Sequence, residues 1–183
     1  MAPWTPELRT LLGLAQDDEQ TLALARGGGH AFVSASLRPY LIAALADLDA
    51  AARARPTLVV VSDDRAARDL AGDLRAWLAP RPVRYYPSRG VAYESHLAPP
   101  AHLVGLRVAA LDALLGAGGL PGAGAPQGTA AGDRAPRDAQ GEPVVVVSAV
   151  ALSEKVPDPQ LRPHSFTLRV ANWPRSSTCS VRS

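Results

Sequence analysis

Two adjacent carboxylates, Asp63 and Asp64, are the side chains of this sequence whose position best suits acid–base chemistry. They follow the apolar run Leu58–Val61 after one intervening residue, Ser62, and catalytic acids in α/β enzymes often stand where a strand ends. A carboxylate just before a helix also accepts hydrogen bonds from the first free N–H groups of that helix. Helix capping accounts for both residues, so the sequence predicts no catalytic residue here.

A nucleotide site is the second kind of chemistry that an α/β chain could offer. It needs a Gly-rich turn between a strand and a helix, because backbone N–H groups and the helix N-terminus must face the phosphates. The segment in that position, Val33–Tyr40, reads VSASLRPY and contains no Gly and no Lys followed by Ser or Thr. The triplet Gly27–Gly29 precedes the predicted strand instead of following it. We therefore predict no cofactor and no cofactor-binding residue.

The histidines and the single cysteine do not form a recognisable reactive group. The four histidines are scattered over predicted loops and a helix start: His30, His96, His102 and His164. His96 and His102 could gather with Glu94 around an ion, but their spacing is not that of a metal set, and histidines in exposed loops are usually solvated. Cys179 has no neighbour arranged to lower its pKa. The sequence predicts neither a metal site nor a nucleophile.

The N-terminal part of the chain is predicted to be largely helical. Apolar residues from Leu8 to Ala25 predict a first helical region that weakens around residues 16–19 and ends at Gly27–Gly29. Ala31–Val33 is predicted to be a brief strand, with Ser34 or Ser36 capping the next helix. That helix, ended by Pro56, is predicted to bury Leu37, Leu41, Ala44, Leu45 and Leu48.

Three short strands with helices between them are predicted to follow. Leu58–Val61 and Val144–Val147 are continuous apolar runs, typical of parallel strands covered on both faces, and Val83–Tyr86 is the third strand. The helix after the first strand is predicted to bury Ala67, Leu70, Ala71, Leu74, Trp77 and Leu78. The helix after the loop Pro87–Pro100 is predicted to bury Leu103, Leu106, Ala110, Leu111, Leu114 and Leu115. We read Tyr85, Tyr86, Tyr93 and Trp77 as packing residues, and predict an α/β fold with a parallel sheet flanked by helices.

Composition sets the predicted domain organisation. Residues 30–115 and 143–165 carry the strand and helix patterns of one α/β domain within residues 1–170. Between Gly116 and Pro143 the chain has eight Gly and four Pro without apolar periodicity, so residues 116–142 are predicted to form a disordered loop. Ser148–Lys155 is predicted to form a short helix and Phe166–Val170 a strand. Residues 171–183 are polar and without pattern, and are predicted to be disordered.

The overall composition excludes several classes of protein. The 183 residues are 47% hydrophobic and 20% charged, which fits one globular domain. No apolar run is long enough to cross a membrane, no signal peptide is recognisable, and a single Cys excludes an internal disulfide. These observations predict a cytoplasmic protein. The net charge of +2, without a Lys/Arg run, is not a nucleic-acid footprint.

One stretch resembles a known family. The string YYPSRGVAYESHLAPPAHLVGLRVAALDALL at residues 85–115 carries, in order, Tyr86-Pro87, Tyr93-Glu94, Ala98-Pro99 and Arg107 with Ala110-Leu111. This order resembles the N-terminal module of the bacterial transcription-repair coupling factor, Mfd. The strand and helix upstream, TLVVVSDDRAARDLAGDLRAWL, and the downstream VVVVSAVALSEKVPDPQLRPHSFTLRV resemble the same family. Together these segments cover about residues 30–115 and 143–170.

The resemblance implies a fold, a process and partners. That module is similar to the first domain of the excision-repair helicase UvrB, a helicase-like P-loop fold, and Val33–Tyr40 matches the family's degenerate nucleotide loop. The implied process is transcription-coupled nucleotide excision repair. The parent displaces stalled RNA polymerase with an ATP-driven translocase on double-stranded DNA and recruits UvrA. Residues 166–170 would begin the UvrA-contact domain, and the motor is absent from this chain, so the expected role is that of a non-catalytic scaffold.

Two other functions and one question about the reading frame stay open at this stage. The chain could instead be a small nucleotide-dependent α/β enzyme, or a stand-alone interaction module that mimics UvrB. The polar residues 171–183 depart from the Gly, acidic residues and amphipathic helix with which the family continues. A neighbouring reading frame can spell GELAEVVDVLGAV from there, so we expect a frameshift, with a natural stop or an unrelated graft as the alternatives.

Overall fold

The structure is a computed structural model that describes residues 8–91, 96–117 and 141–156. Its first part is helical: a 3-10 helix (Leu8–Leu12), α1 (Gly13–Gln16), α2 (Glu19–Gly27), a 3-10 turn (Ala35–Leu37), α3 (Arg38–Ala46) and α4 (Ala50–Arg53). The predicted break is confirmed, because α2 starts at a new cap, Asp18, whose carboxylate accepts from Thr21 N at 2.8 Å. Arg9 of the first 3-10 helix makes a bidentate contact with the buried Asp47, with both hydrogen bonds 2.8 Å long, and so joins that helix to the end of α3.

A parallel sheet is the centre of the described structure. Its strands and the elements around them are β1 (Thr57–Val61), α5 (Asp64–Leu78), β2 (Val83–Tyr86), α6 (Ala101–Ala117), β3 (Val144–Ser148) and α7 (Ala149–Ser153). The strand order is β1-β3-β2, and β3 pairs in parallel with both neighbours. This confirms the predicted α/β class and the parallel sheet flanked by helices.

The two faces of the sheet bury separate apolar cores. On one face α5 packs against Val144 and Val146, with Leu74 and Leu78 fully buried. Burying a leucine side chain contributes roughly 1.5–3 kcal/mol, so the buried stripe predicted for α5 is a main source of stability. On the other face, α6 covers Val145 and Val147 together with the buried Ala110.

The predicted burial of β1 is wrong on one face. Its burial alternates, and Leu58 and Val60 are 52% and 48% exposed. They share the face of Val145 and Val147, because the register pairs them with those residues. β1 stands at the edge of the sheet, whereas α6 packs over β2. A run of four apolar residues does not by itself distinguish an edge strand from a central one.

Three further predictions about the helices and strands are corrected. Ala31–Val33 is not a strand, and Phe32 is fully exposed. α3 has no side-chain cap from Ser34 and ends at Ala46, with its small residues buried and Leu37 exposed. In α6, Leu106 is exposed, whereas Arg107 is buried beside the predicted Ala110. The predicted burial of Ala44 is confirmed, whereas Leu41 and Leu45 are only partly buried. The small residues of α3 allow close packing against α5.

Several predictions fall outside the described residues. They concern residues 118–140 of the predicted loop, the strand Phe166–Val170 and the tail 171–183, as well as Tyr93, Glu94, His164 and Cys179. Within the described ranges, no helix is long and apolar enough to cross a membrane.

Candidate functional site at the carboxyl edge of the sheet

The carboxyl ends of the three strands lie at one edge of the sheet, where α/β proteins usually place their sites. β1 leads into Ser62 and Asp63, β2 into Pro87 and Ser88, and β3 ends at Ser148. The polar groups of this edge form two clusters. We call them the Asp64 cluster (Asp64, Ser88, Ser148) and the Arg107 cluster (Arg107, Glu154, Tyr86, with the backbone at 87–89).

Asp64 connects the ends of all three strands. Its Oδ1 accepts a hydrogen bond from Ser148 Oγ at 2.6 Å and another from the Ser88 N–H at 3.1 Å, and its Oδ2 accepts a short one from Ser88 Oγ. Burial raises the pKa of Asp64, but the hydrogen bonds from Ser148 and Ser88 outweigh burial and hold the pKa below its ordinary value of 3.8. The carboxylate is therefore held in its charged form by donors from two other strand ends.

The capping role predicted for the two carboxylates is confirmed for Asp63 and wrong for Asp64. Asp63 is the N-cap of α5, and its carboxylate accepts from Ala66 N at 2.9 Å and from Ser62 Oγ at 2.8 Å. These bonds lower the pKa of Asp63. Asp64 lies in the first turn of α5 and points instead to Ser88 and Ser148. No local pattern shows this, because its partners are 24 and 84 residues away.

The Arg107 cluster fixes the chain that leaves β2. Arg107 Nη1 donates to the Pro87 carbonyl at 2.8 Å and to Glu154 Oε2 at 2.5 Å. Glu154, just beyond α7, also accepts from the Arg89 N–H, at 2.9 and 3.1 Å for its two oxygens. The guanidinium and the carboxylate are both largely buried. Charge-assisted hydrogen bonds of this kind are stronger than neutral ones, so this pair anchors the start of the predicted loop Pro87–Pro100.

The Tyr86 ring packs against Arg107 in the Arg107 cluster. The Arg107 guanidinium carbon lies 4.3 Å from the centre of the Tyr86 ring, a cation–π contact. Burial raises the pKa of the Tyr86 phenol, an effect that Arg107 opposes. Among the described residues the buried Tyr86 hydroxyl has no hydrogen-bond partner. The neighbouring Tyr85 points to the other face, where its hydroxyl donates to the Asp64 carbonyl at 3.1 Å.

The chemical capacity of this edge follows from how its groups are engaged. The hydroxyls of Ser88 and Ser148 both donate to Asp64, and Ser148 also accepts from Ala151 N at 3.1 Å as the cap of α7. A serine nucleophile needs a base that can take its proton, and a carboxylate with a lowered pKa is a poor base. The arrangement braces the strand ends and positions the segment 87–91.

Val33–Tyr40, the segment where a phosphate loop would stand but where the sequence predicts none, begins without a strand. Residues 33–34 are irregular, a 3-10 turn covers Ala35–Leu37, and Ser34 Oγ lies 3.3 Å from Ser36 Oγ. Since no strand leads into this segment, the strand-turn-helix geometry that aims backbone N–H groups at a phosphate is not built there.

The remaining candidates from the sequence are separated in space or packed. His30, His96 and His102 are exposed. Within residues 8–91, 96–117 and 141–156, no three His, Cys, Asp or Glu side chains lie close enough to hold a metal ion. Trp77 packs edge-to-face on Tyr40, with ring centres 5.3 Å apart, which confirms its predicted packing role.

Sequence reasoning missed Glu154 altogether and noticed Arg107 only as part of a motif. The useful signal was an arginine inside an otherwise apolar helical stripe, since such a charge needs a buried partner. Comparison with known proteins adds nothing to these assignments: no protein-family model matches the chain, and no curated protein or solved structure matches it significantly.

Proposed function

We propose that this chain is the N-terminal module of a transcription-repair coupling factor, acting as a non-catalytic UvrB-like scaffold in transcription-coupled nucleotide excision repair. The proposal rests on the motif order at residues 85–115 and is compatible with the α/β fold and its parallel sheet. A helicase-like P-loop ancestry with a degenerate nucleotide loop is itself part of the proposal. In the parent family the whole protein displaces stalled RNA polymerase from double-stranded DNA and recruits UvrA. In that family those activities belong to domains other than the N-terminal module.

The observation that carries the scaffold role is the engagement of Asp64. In a working α/β enzyme an acid at the carboxyl edge of the sheet is available to substrate, metal or water. Here the carboxylate accepts three hydrogen bonds from Ser88 and Ser148, so it serves to brace the strand ends. The Arg107–Glu154 pair likewise forms hydrogen bonds with backbone groups of residues 87–89.

The motif residues of the resemblance support the same proposal. Arg107 and Ala110 both face the sheet from α6, and Tyr86-Pro87 is the pair on which Arg107 acts. The motif is thus a packing unit that joins α6, the end of β2 and the segment after α7.

A small nucleotide-dependent α/β enzyme is the competing function, and nucleotide binding distinguishes the two. Mg-ATP is titrated into the full chain by isothermal calorimetry at millimolar nucleotide, with Mg-tripolyphosphate at matched ionic strength as the control. We expect no saturable heat, because Val33–Tyr40 offers no phosphate turn. Saturable heat specific to Mg-ATP would overturn the scaffold proposal in favour of the enzyme.

The identity of the parent is tested on the coding DNA. Sequencing runs from codon 165 through several hundred bases past the stop codon. We expect a shifted frame that starts near GELAEVVDVLGAV and continues into polymerase-binding and translocase motifs. A genuine stop with no such frame would contradict the proposed parent, and a UvrB-mimicking interaction module, tested by pull-down, would replace it.

A further inference from the structure

Residues 28–34, between α2 and the 3-10 turn at Ala35–Leu37, form a connection without regular structure. It begins with two glycines of positive φ, 68° at Gly28 and 146° at Gly29, which lead the chain away from α2. Within the described part of the chain, the backbone groups of residues 29–33 make no hydrogen bond. This stretch can therefore straighten locally without losing a hydrogen bond to the described residues.

Phe32 lies in this connection with its side chain fully exposed. Among residues 28–34, Val33 alone is partly buried, so straightening costs the contacts of one side chain. The tyrosines and tryptophans that the structure describes lie in helices or strands and are at least partly buried: Tyr40, Trp77, Tyr85 and Tyr86. Endoproteases cleave where an exposed segment opens locally, and some have an S1 pocket that takes large apolar side chains. Phe32 meets both requirements.

The helices before this connection are bound to the rest of the molecule by their side chains. Leu12 and Ala15 are buried in the apolar core that they share with α3 and α5. Arg9 adds two hydrogen bonds to Asp47 at the end of α3, both 2.8 Å long, and the Asp47 side chain is only 6% exposed. These contacts do not depend on an unbroken backbone at Phe32.

We propose that the Phe32–Val33 peptide bond is a processing site for an endoprotease specific for aromatic residues, and that the cleaved chain persists as two noncovalently bound pieces. The step is a hydrolysis: the bond between the Phe32 carbonyl carbon and the Val33 nitrogen breaks. Water supplies the oxygen of the new Phe32 carboxylate and the hydrogen of the new Val33 amine. The N-terminal piece carries α1 and α2 and stays bound through the core and the Arg9–Asp47 contact.

The first test is brief digestion of the full chain with chymotrypsin, with each product identified by its mass. We expect a fragment that ends at Phe32. Phe32→Ser is expected to slow cleavage after position 32 at least about tenfold, because the S1 pocket then stays empty. Phe32→Tyr keeps an aromatic side chain and is the matched control, with cleavage at the wild-type rate. Absence of this fragment, or equal rates for F32S and F32Y, would overturn the proposal.

Urea below the unfolding transition distinguishes local opening from global unfolding. Local straightening exposes little surface, so the rate of cleavage after Phe32 is expected to stay constant within about twofold. The rate is normalised to cleavage of a short unstructured peptide, which corrects for the effect of urea on the protease. A rate that rises in step with the global unfolding constant would show that chymotrypsin cuts unfolded chains, and would contradict a site in the folded protein.

Retention of the N-terminal piece is tested on the cleaved full chain by gel filtration at a series of concentrations. We expect the fragment that ends at Phe32 to elute with the remainder. Arg9→Gln removes the contact with Asp47 and should weaken retention at least about tenfold. The intact R9Q chain is expected to fold, since Asp47 keeps Arg81 as a nearby positive charge.

Arg26→Gln is the matched control for retention, because Arg26 is an exposed arginine in the last turn of α2. Cleaved R26Q should retain its N-terminal piece like wild type. Separate elution of the wild-type fragment, or equal retention in R9Q and R26Q, would contradict a two-piece molecule held through Arg9 and Asp47.

Discussion

Ser148, the last residue of β3, donates a hydrogen bond to Asp64, which follows β1, with Oγ and Oδ1 2.6 Å apart and 84 residues between them. Ser88 donates to the same carboxylate from beyond β2. One side chain thus holds the ends of three strands that local sequence does not connect. Because Ser148 also caps α7 through Ala151 N, its loss affects two elements at once.

Ser148→Ala is expected to lower the free energy of unfolding by about 1–3 kcal/mol, since it leaves a charged acceptor short of one donor and removes the cap of α7. Urea denaturation followed by circular dichroism measures the change. Ser153→Ala is the matched control, because Ser153 is exposed and donates only to Val150 O of its own helix. Equal effects of the two substitutions would contradict the connecting role of Ser148.

The lowered pKa of Asp64 predicts a dependence of stability on pH. A carboxyl group whose pKa is lower in the folded state stabilises the fold above its unfolded pKa, near 3.8, and this contribution is lost as pH falls through the folded pKa. Wild type should therefore lose more stability than D64N on acidification below about pH 4. Asp18 and Asp63 also have lowered pKa values, but they are present in both proteins and cancel in the difference.

Unfolding by urea at a series of pH values from about 6 down to 3 gives the two curves. The expected result is that they converge toward low pH, because Asp64 in wild type becomes protonated and then resembles the amide. Parallel curves over that range would show that the charge of Asp64 does not contribute to folding.

Removal of one member of the Arg107–Glu154 pair is expected to be costly. Glu154→Gln leaves the buried guanidinium without its counter-charge and weakens the bonds from the Arg89 N–H, so we expect a loss of about 3 kcal/mol. Arg107→Met is expected to cost a similar amount, since Glu154 then lacks its cation. A double-mutant cycle with R107M/E154Q measures the coupling, and additive losses would contradict a direct interaction.

Much of the fold could be predicted from local patterns. The bounds of β2 agree with the prediction, and the stripe of α5 is buried as expected, because periodic apolar residues have one favourable way to be covered. The prediction of a strand at Ala31–Val33 was wrong, because a three-residue apolar segment forms a strand only where it can pair with a neighbouring strand. The predicted burial of Leu58 and Val60 was wrong for a related reason, since their exposure depends on the position of β1 at the edge of the sheet.

The candidate site was less predictable than the fold. Asp63 acts on an N–H three residues away, which a sequence pattern reveals. Asp64 and Arg107 act on partners 20 to 84 residues distant, and their roles depend on strand order, which the sequence did not indicate. Contacts between residues so far apart in the sequence cannot be deduced from local residue spacing.

Arg81 provides a second test of a buried cation. It lies after α5, is 2% exposed, and donates to the carbonyls of Glu142 at 2.6 Å, Arg55 at 3.0 Å and Ala46 by a short bond. Burial lowers its pKa, while nearby Asp47 opposes the shift. Arg81→Met would leave three carbonyls without this donor, and we expect a loss of about 3 kcal/mol or more. Arg84→Met, which alters an exposed arginine on β2, should change stability by less than about 0.5 kcal/mol.

The tyrosines of β2 give opposite expectations for the same small change. The Tyr86 hydroxyl is buried without a partner in the described structure, so Tyr86→Phe removes an uncompensated polar group while the ring still supports Arg107. We expect stability to stay equal or rise by about 1 kcal/mol. Tyr85→Phe removes the bond to the Asp64 carbonyl and should cost about 1 kcal/mol. Thermal and urea unfolding of both variants decide the matter, and a loss of stability in Y86F as large as in Y85F would show that the Tyr86 hydroxyl is satisfied in solution.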